Sequence, residues 1–198
     1  MKKSDETRRR ILDATAKMFR RKGYDTTTLK DIGALAKIRA PAIYYYFSSK
    51  EQLLEEILNI GIARIHDAVQ EAVDNLAAGS SHRVRVETAI RAHLTALLQH
   101  SDYTAANIIN YNLAPRAIRA RHLARRESYA DCWRDLLQRA QDAGEIGPSV
   151  DVNLLRLFLL GALFWTHEWY GKDQEPIEVM AEKLSAMLFG GIGGRLQE

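Results

Sequence analysis

Residues 27–54, TTLKDIGALAKIRAPAIYYYFSSKEQLL, contain two short apolar-patterned segments separated by a few residues. Apolar residues recur at helical spacing in the first segment, which predicts a helix over 28–36 with Thr27 as its N-cap. After a turn at 37–39, a second short helix is predicted over 40–47. Two short helices joined by a tight turn predict a helix-turn-helix.

The two predicted helices need a small shared core that fixes their crossing angle. Apolar side chains stand at positions suited to that core: Leu29, Ile32, Leu35, Ile38, Ile43 and Phe47. Gly33 and Ala36 are small enough to let the helices approach closely. The outer face of the second helix then becomes available to the major groove of DNA, which is about 12 Å wide.

Side chains on this outer face and beside it are suited to DNA. Arg39 can bond both acceptors of a guanine edge, and Ala40 and Ala42 are small enough to approach thymine methyl groups. Hydroxyl and ammonium donors nearby suit phosphate oxygens. We expect nine residues to form the DNA-binding surface: Thr28, Lys37, Arg39, Ala40, Ala42, Tyr44, Tyr45, Tyr46 and Lys50.

The charge of the 198-residue chain is unevenly distributed. Residues 1–50 hold 13 Lys and Arg against 5 Asp and Glu, a net charge of +8. The rest of the chain holds 15 bases against 20 acids, a net charge of −5, so the total of +3 conceals two unlike parts. A basic first quarter on an acidic body indicates that one end of the molecule binds a polyanion.

The remaining sequence predicts an all-α protein of about nine helices, because only four prolines occur and alternating β-branched runs are missing. A supporting helix is predicted over 5–22 and should end at Gly23, and Ser49 should cap a fourth helix that continues to Ala78. Further helices are predicted over 84–100, 103–113, 115–143, 152–170 and 176–189.

Other functional classes have little support in the sequence. The single Cys132 excludes an intramolecular disulfide and fits a reducing compartment. The longest apolar run, 157–165, is shorter than the ~20 residues of a membrane-spanning helix, so we expect a cytoplasmic protein. Zinc-binding spacing, a nucleophile elbow and a phosphate loop do not occur in the sequence, which predicts neither an enzyme nor a cofactor nor a metal site.

The sequence resembles the TetR family of bacterial regulators over 27–36 (TTLKDIGALA) and 43–54 (IYYYFSSKEQLL). The family pattern has a Thr-Thr start, an Ile-Ala core, a Tyr- and Phe-containing recognition helix and a following Lys-Glu-x-Leu. Three residues depart from it: Lys37 stands where a turn glycine is usual, Arg39 replaces a Ser or Thr N-cap, and Pro41 replaces a common glycine. A positive φ at Lys37 would cost about 1 kcal/mol.

The resemblance implies a DNA-binding domain at 1–50 and a helical effector-binding and dimerisation domain at 51–198. The last two helices should pair with those of a second subunit, and the apolar density between Leu154 and Trp165 predicts nearly all-round burial of the first of them. By the same resemblance, we expect an effector pocket built from polar and aromatic residues of the body: His93, Tyr103, Asn107, Asn110, Tyr111, Trp133, Phe164 and His167.

The identity of the effector follows less directly. The segment 165–170 (WTHEWY) is similar to family members that govern fatty-acid or steroid breakdown, and five arginines lie between Arg116 and Arg126. We therefore expect an acyl-CoA or another apolar small molecule, acting on a repressor bound to a palindromic operator. A helical protein-interaction module, or an activator without a small-molecule effector, is the alternative.

Overall fold

The computed structural model describes residues 3–99, 102–171 and 174–190, and these residues form an all-α fold. Nine helices occur within the described residues, which confirms the predicted fold class and helix number. Their bounds are α1 Lys3–Thr26, α2 Leu29–Ala36, α3 Ala40–Ile43, α4 Lys50–Asp74, α5 His82–Leu98, α6 Asp102–Tyr111, α7 Arg116–Asp142, α8 Val152–Trp169 and α9 Ile177–Gly190. The predicted end of the fifth helix, His100, lies outside the described residues.

The described residues divide into two compact units. The first comprises 3–64 and 102–127, and therefore contains α1–α3, α6 and the first parts of α4 and α7. The second comprises 65–99 and the described residues from 128 onward, and therefore contains α5, α8, α9 and the remaining parts of α4 and α7. The domain boundary expected at residue 50 stays a prediction.

Gly23 interrupts α1, as the sequence predicts, although helical turns resume and continue to Thr26. Its φ of 77° and ψ of 166° are not those of a left-handed helical residue, so the break is extended rather than left-handed. Glycine reaches this conformation because it has no Cβ. Beyond the break, the buried Thr27 donates a 2.7 Å hydrogen bond to the carbonyl of Gly23.

The predicted N-cap of α2 was wrong by one residue. Thr28, and not Thr27, caps the helix, because the Thr28 hydroxyl accepts a hydrogen bond from the backbone N–H of Asp31. The Asp31 carboxylate in return accepts the backbone N–H of Thr28 at 3.0 Å, which completes a capping box. Thr27 is buried and bonds to the end of α1 instead.

The turn after α2 has the strained geometry that the sequence predicts. Lys37 adopts φ 55° and ψ 45°, and among the described non-glycine residues it alone has a positive φ. Gly33 permits the close approach of the chain that follows, since a Cβ at this position would lie 3.0 Å from the carbonyl oxygen of Ile38. The buried face of α2 consists of Ile32, Gly33 and Ala36. Leu35 projects from the edge of this face and is 40% exposed, so its predicted inward position was wrong.

The second helix of the motif is shorter than predicted. α3 covers only Ala40–Ile43, and residues 44–46 form turns rather than the continuation to Phe47 that the sequence predicted. The backbone N–H of Tyr46 bonds to the carbonyl of Ile43, three residues back, as in a tightened helix end. Gln52 then accepts the backbone N–H of Ser48 at 2.6 Å, and Ser49 caps α4 through the N–H of Gln52, as predicted.

Helix α8 is buried on one face only, so the expected all-round burial does not occur within a single chain. Its buried residues are Val152, Leu159, Leu160, Leu163 and Thr166. A second apolar face stays exposed because no other element of the second unit covers it. None of the helices in the described part of the chain is long and apolar enough to cross a membrane.

Candidate nucleic-acid interface and effector site

The segment around α3 presents most of the predicted DNA-binding residues to solvent. Tyr44 is 60% exposed and Tyr45 83% exposed. The remaining members of the segment that are also exposed are Lys37, Arg39 and Ala42. Apart from Ala42, these are large aromatic or cationic groups on a short turn-helix-turn, which is a geometry suited to contact with a nucleic acid groove and backbone.

Three predicted members of this surface are half-buried: Ala40, Tyr46 and Lys50. Ala40 is half-buried at the start of α3. Tyr46 is half-buried and packs against the core of the first unit, while its ring contacts that of Tyr45 edge-on at 5.2 Å. Tyr46 therefore supports the position of Tyr45 in addition to any contact of its own hydroxyl with DNA.

Thr28 and Lys50 already have protein partners. The Thr28 hydroxyl donates to the Asp31 carboxylate at 2.8 Å, and the hydrogen bonds from Thr28 are the main cause of a lowered pKa at Asp31. The Lys50 ammonium donates to the carbonyl oxygen of Thr27 at 2.8 Å and lies 4.3 Å from the ring centroid of Tyr24. Lys50 thus ties the start of α4 to the end of α1, and its phosphate contact stays a prediction.

The predicted effector residues are divided between the two units. Four of them belong to the first unit, on α6: Tyr103, Asn107, Asn110 and Tyr111. The other four belong to the second unit, on α5, α7 and α8: His93, Trp133, Phe164 and His167. Neither unit by itself therefore contains all the side chains of the single pocket that the sequence predicts.

The polar residues of α6 make hydrogen bonds that hold the first unit together. Asn110 is fully buried, accepts the backbone N–H of Tyr24 at 2.6 Å and donates to the carbonyl of Phe19 at 3.2 Å. Asn107 is also buried and donates to the carbonyl of Leu58 at 2.6 Å. These contacts explain why amides occur on a buried helix face, since each side chain satisfies backbone groups of α1 or α4.

The two tyrosines of α6 are also engaged within the first unit. The Tyr103 hydroxyl donates to Asp13 at 2.8 Å, and the guanidinium of Arg64 lies 4.1 Å from its ring centroid. Burial and the Asp13 carboxylate together raise the pKa of Tyr103 far above its ordinary value. Tyr111 lies under the guanidinium of Arg126, also at 4.1 Å. Both residues support α6 against its neighbours.

Three of the predicted effector residues meet in the second unit around a tyrosine that sequence reasoning missed. The rings of His93 and Phe164 are 4.8 Å apart, and those of His93 and Trp133 are 6.2 Å apart. The hydroxyl of Tyr129 lies 2.6 Å from His93 Nδ1. We call His93, Tyr129, Trp133 and Phe164 the aromatic cluster. Its Tyr129 follows the arginine-rich part of α7, and no pattern in the sequence singled it out.

The aromatic cluster is uncharged and, apart from the half-buried Phe164, fully buried. His93, Trp133 and Tyr129 are at most 1% exposed. Burial lowers the pKa of His93 to about 3 and raises the pKa of Tyr129 well above its ordinary value. His167 lies nearby in sequence but bonds locally, with its Nδ1 donating to the carbonyl of Phe164 and its Nε2 lying 3.1 Å from the Glu168 carboxylate.

A separate cavity of about 390 Å³ opens in the second unit between the end of α4, the start of α5 and α7. Its floor contains Val69, Val73 and the half-buried Cys132, and Asp74 and Asp135 lie near the thiol. Burial and these two carboxylates raise the pKa of Cys132, which keeps it a thiol. Groups of three or more His, Cys, Asp or Glu with metal-binding geometry are missing from the described residues.

A helix-turn-helix with an exposed aromatic and cationic surface, joined to a larger helical body, defines a DNA-binding transcriptional regulator. Residues 11–57 match the family described as "Bacterial regulatory proteins, tetR family". Residues 79–192 match a second family description, "Tetracyclin repressor-like, C-terminal domain". The chain belongs to the TetR family of transcriptional regulators, and it is not an enzyme.

Relatives of known name support this assignment along nearly the whole chain. The HTH-type transcriptional repressor KstR2 of Mycolicibacterium smegmatis is 26% identical over 191 residues, which cover 92% of this chain and 88% of the relative. The crystal structure of AibR in complex with isovaleryl coenzyme A and operator DNA is 25% identical, with a TM-score of 0.83 over 92% of this chain and 98% of that one.

The same fold occurs in a protein of a different description. The crystal structure of superantigen PfiT is 27% identical to this chain, with a TM-score of 0.80 over 94% of this chain and 98% of that one. The regulator assignment therefore rests on the two family matches and on the helix-turn-helix surface, because a shared fold alone does not define function.

Proposed function

We propose that the protein is a ligand-responsive repressor that binds a palindromic operator as a homodimer and acts in the cytoplasm. The observation that carries the proposal is a set of exposed side chains on a helix-turn-helix in the net positive first quarter of the chain: Lys37, Arg39, Ala42, Tyr44 and Tyr45. Two relatives support the proposal: KstR2 is named a transcriptional repressor, and AibR was crystallised with operator DNA.

The DNA contacts divide by chemistry into two groups. Arg39 stands at the start of α3 with no side-chain capping bond, so its guanidinium is available for the guanine edge in the major groove. Tyr44 and Tyr45 provide exposed hydroxyl groups for phosphate oxygens. Arg39 would therefore contribute base preference, whereas the tyrosines would contribute affinity that depends little on sequence.

Dimerisation is supported by the exposed apolar face of α8. Its members recur at helical spacing and form one stripe, which we call the α8 stripe: Leu154, Leu157, Phe158, Trp165 and Trp169. Phe158 is 71% exposed, and Gly161, also exposed, lies in the middle of the stripe, where a second helix can approach closely. Pairing this face with its copy would bury it and present two recognition helices about 34–36 Å apart.

Of the residues predicted to bind the effector, those in the aromatic cluster fit a ligand site best. The cluster is largely apolar, three of its four members are fully buried, and it contains one polar pair, His93 and Tyr129, which is the composition of small-molecule sites. The isovaleryl coenzyme A bound by AibR supports an acyl-CoA or another apolar small molecule as effector. Effector binding would lower operator affinity by changing the spacing of the recognition helices.

The proposal is tested by selecting fragments of the source genome that the purified full-length protein binds. We expect a palindromic sequence, protection of both half-sites in footprinting, and an association constant that falls steeply with salt concentration. Binding that is weak, unselective and insensitive to salt would contradict the proposal. Activation of a reporter placed behind the selected fragment would retain DNA binding and exclude repression.

A further inference from the structure

The aromatic cluster contains two buried polar atoms with no hydrogen-bond partner among the described residues, His93 Nε2 and Trp133 Nε1. The side chain of His93 is completely buried, and its Nδ1 lies 2.6 Å from the Tyr129 hydroxyl. Its other ring nitrogen, Nε2, has no hydrogen-bond partner among the described residues. Because a buried polar group without a partner destabilises a folded protein, such atoms are rare and point to a partner that arrives from outside.

The hydrogen-bond count decides which of the two ring nitrogens carries the proton. If Nδ1–H donated to Tyr129, both the Tyr129 hydroxyl hydrogen and the Nε2 lone pair would lack partners among the described residues. If Tyr129 donates to Nδ1, the Nε2–H is the one group of the His93–Tyr129 pair that lacks a partner among the described residues. The second arrangement leaves fewer unsatisfied groups, so Tyr129 makes Nε2 of His93 a hydrogen-bond donor.

The surroundings of this donor are aromatic. Phe164 meets the His93 ring edge-on at 4.8 Å, and Trp133 meets it edge-on at 6.2 Å. A group that reaches Nε2 must therefore be carried on an apolar body, and it must be an acceptor rather than a donor.

We propose that His93 Nε2–H donates a hydrogen bond to an uncharged carbonyl oxygen, of a thioester, ester or ketone, on an apolar effector. The inference rests on the proposed function and names the chemical class that the effector site selects. Thioesters and ketones share this acceptor chemistry, and the experiment below distinguishes them.

Neutral partners favour a neutral acceptor over a carboxylate. Burial keeps His93 uncharged, since it lowers the pKa of the ring to about 3. The ring contacts of His93 are Tyr129, Trp133 and Phe164, and none of them can supply a positive charge. A carboxylate at Nε2 would lose its hydration without gaining a counter-ion. The site should therefore distinguish an acyl thioester from the corresponding free acid.

The test uses four probes of equal chain length on the full-length protein. They are the octanoyl thioester of N-acetylcysteamine, the S-octyl thioether that lacks its carbonyl, octanoate, and an alkyl methyl ketone. Binding is measured by calorimetry and by quenching of tryptophan fluorescence. The expected result is that the thioester binds about tenfold more tightly than the thioether, because one buried hydrogen bond separates these two probes. Octanoate should also bind more weakly than the thioester, because its carboxylate would lose its hydration at an uncharged site. The affinity of the ketone shows whether any uncharged carbonyl group is enough for tight binding or a thioester is required.

Three variants assign the effect to His93. H93L should reduce the thioester-to-thioether affinity ratio to about one. H82L, the same substitution at the other end of α5, should keep the wild-type ratio. Y129F keeps the size of the ring but removes the donor that fixes the tautomer, so it should lower the ratio and move part of the His93 proton to Nδ1 in ¹⁵N NMR spectra. This variant keeps the test decisive if H93L does not fold.

Equal binding of thioester and thioether by the wild-type protein would overturn the inference. A lack of binding by the thioester and the ketone at about 1 mM would do the same. If an operator is found in the genomic selection while these probes fail, the inference alone is wrong. If the carbonyl preference is present but no DNA is selected, the proposed repressor function is wrong and the site stands.

Discussion

The side-chain oxygen of Asn110 accepts a 2.6 Å hydrogen bond from the backbone N–H of Tyr24, directly after the break in α1 at Gly23. The break removes the helical acceptor of this N–H, so Asn110 replaces a missing turn of helix. The same amide donates to the carbonyl of Phe19 on the other side of the break. One buried side chain of α6 thus bridges the interruption that leads into the helix-turn-helix.

Replacing this residue should destabilise the fold. N110A leaves the buried N–H of Tyr24 without its Asn110 partner and removes one hydrogen bond to the carbonyl of Phe19, and we expect the free energy of unfolding to fall by about 2 kcal/mol. Urea denaturation followed by circular dichroism measures the change. N75A, at an exposed asparagine beyond α4, is the matched control, and equal stability of the two variants would contradict the assigned role.

The strain at Lys37 can be measured by comparing two substitutions that remove the same side chain. K37A keeps a Cβ at φ 55°, whereas K37G does not. We expect K37G to unfold with a free energy about 1 kcal/mol higher than K37A. A K37A variant as stable as K37G would show that the left-handed turn carries no strain.

Two substitutions separate base readout from phosphate contact. R39A should relax the base preference of selected operators, while Y44F should weaken binding to all sequences about equally and leave the salt dependence unchanged, because the lost hydroxyl is uncharged. Selection from randomised DNA and titrations at several salt concentrations provide both readouts. Loss of base preference in Y44F, with R39A unchanged, would reverse the two assignments.

The α8 stripe should be required for dimerisation. F158R places a charge in the middle of this exposed apolar face and should convert the protein to a monomer in sedimentation experiments. Operator affinity should fall with it, since a single recognition helix makes few contacts. Q138R adds the same charge at an exposed position of α7 and serves as the control. A dimeric F158R protein would place the interface elsewhere.

Buried histidines make stability depend on pH. Burial, with Arg126 and Arg125 nearby, lowers the pKa of His122 to about 4, and burial lowers that of His93 to about 3. The ordinary value in the unfolded chain is about 6.5, so the unfolded state binds more protons between these limits. The stability that these two neutral histidines contribute is therefore fully present above about pH 6.5. It is lost as the pH falls from there toward their folded-state pKa values.

The contribution of one of these histidines is accessible to mutation. Between pH 7 and pH 5, H122Q should lose less unfolding free energy than the wild-type protein, by about 1 to 2 kcal/mol. Denaturation curves at the two pH values give this difference. If wild type and H122Q lose the same free energy over this interval, His122 is not held neutral by the fold.

The aromatic cluster and the α6 contacts mark the limit of prediction from sequence. In the sequence, His93, Trp133 and Asn110 look alike, because each is a polar or aromatic residue among apolar ones. Asn110 satisfies the backbone of α1, whereas His93 and Trp133 meet around Tyr129. Residues far apart in the chain decide between these roles, so local pattern cannot separate a structural amide from a ligand group.

The sequence by itself determined the helices, the helix-turn-helix and the strained turn at Lys37, because these depend on local periodicity, capping and backbone sterics. Only the tertiary structure decided how far the recognition helix extends and which face of α8 is covered. It also decided that Thr28 and Lys50 have protein partners in this structure. The Thr28 partner is Asp31 of the same capping box, which is a local contact, but the others depend on contacts between distant segments, whose packing energy outweighs the small local preferences that a sequence pattern reports.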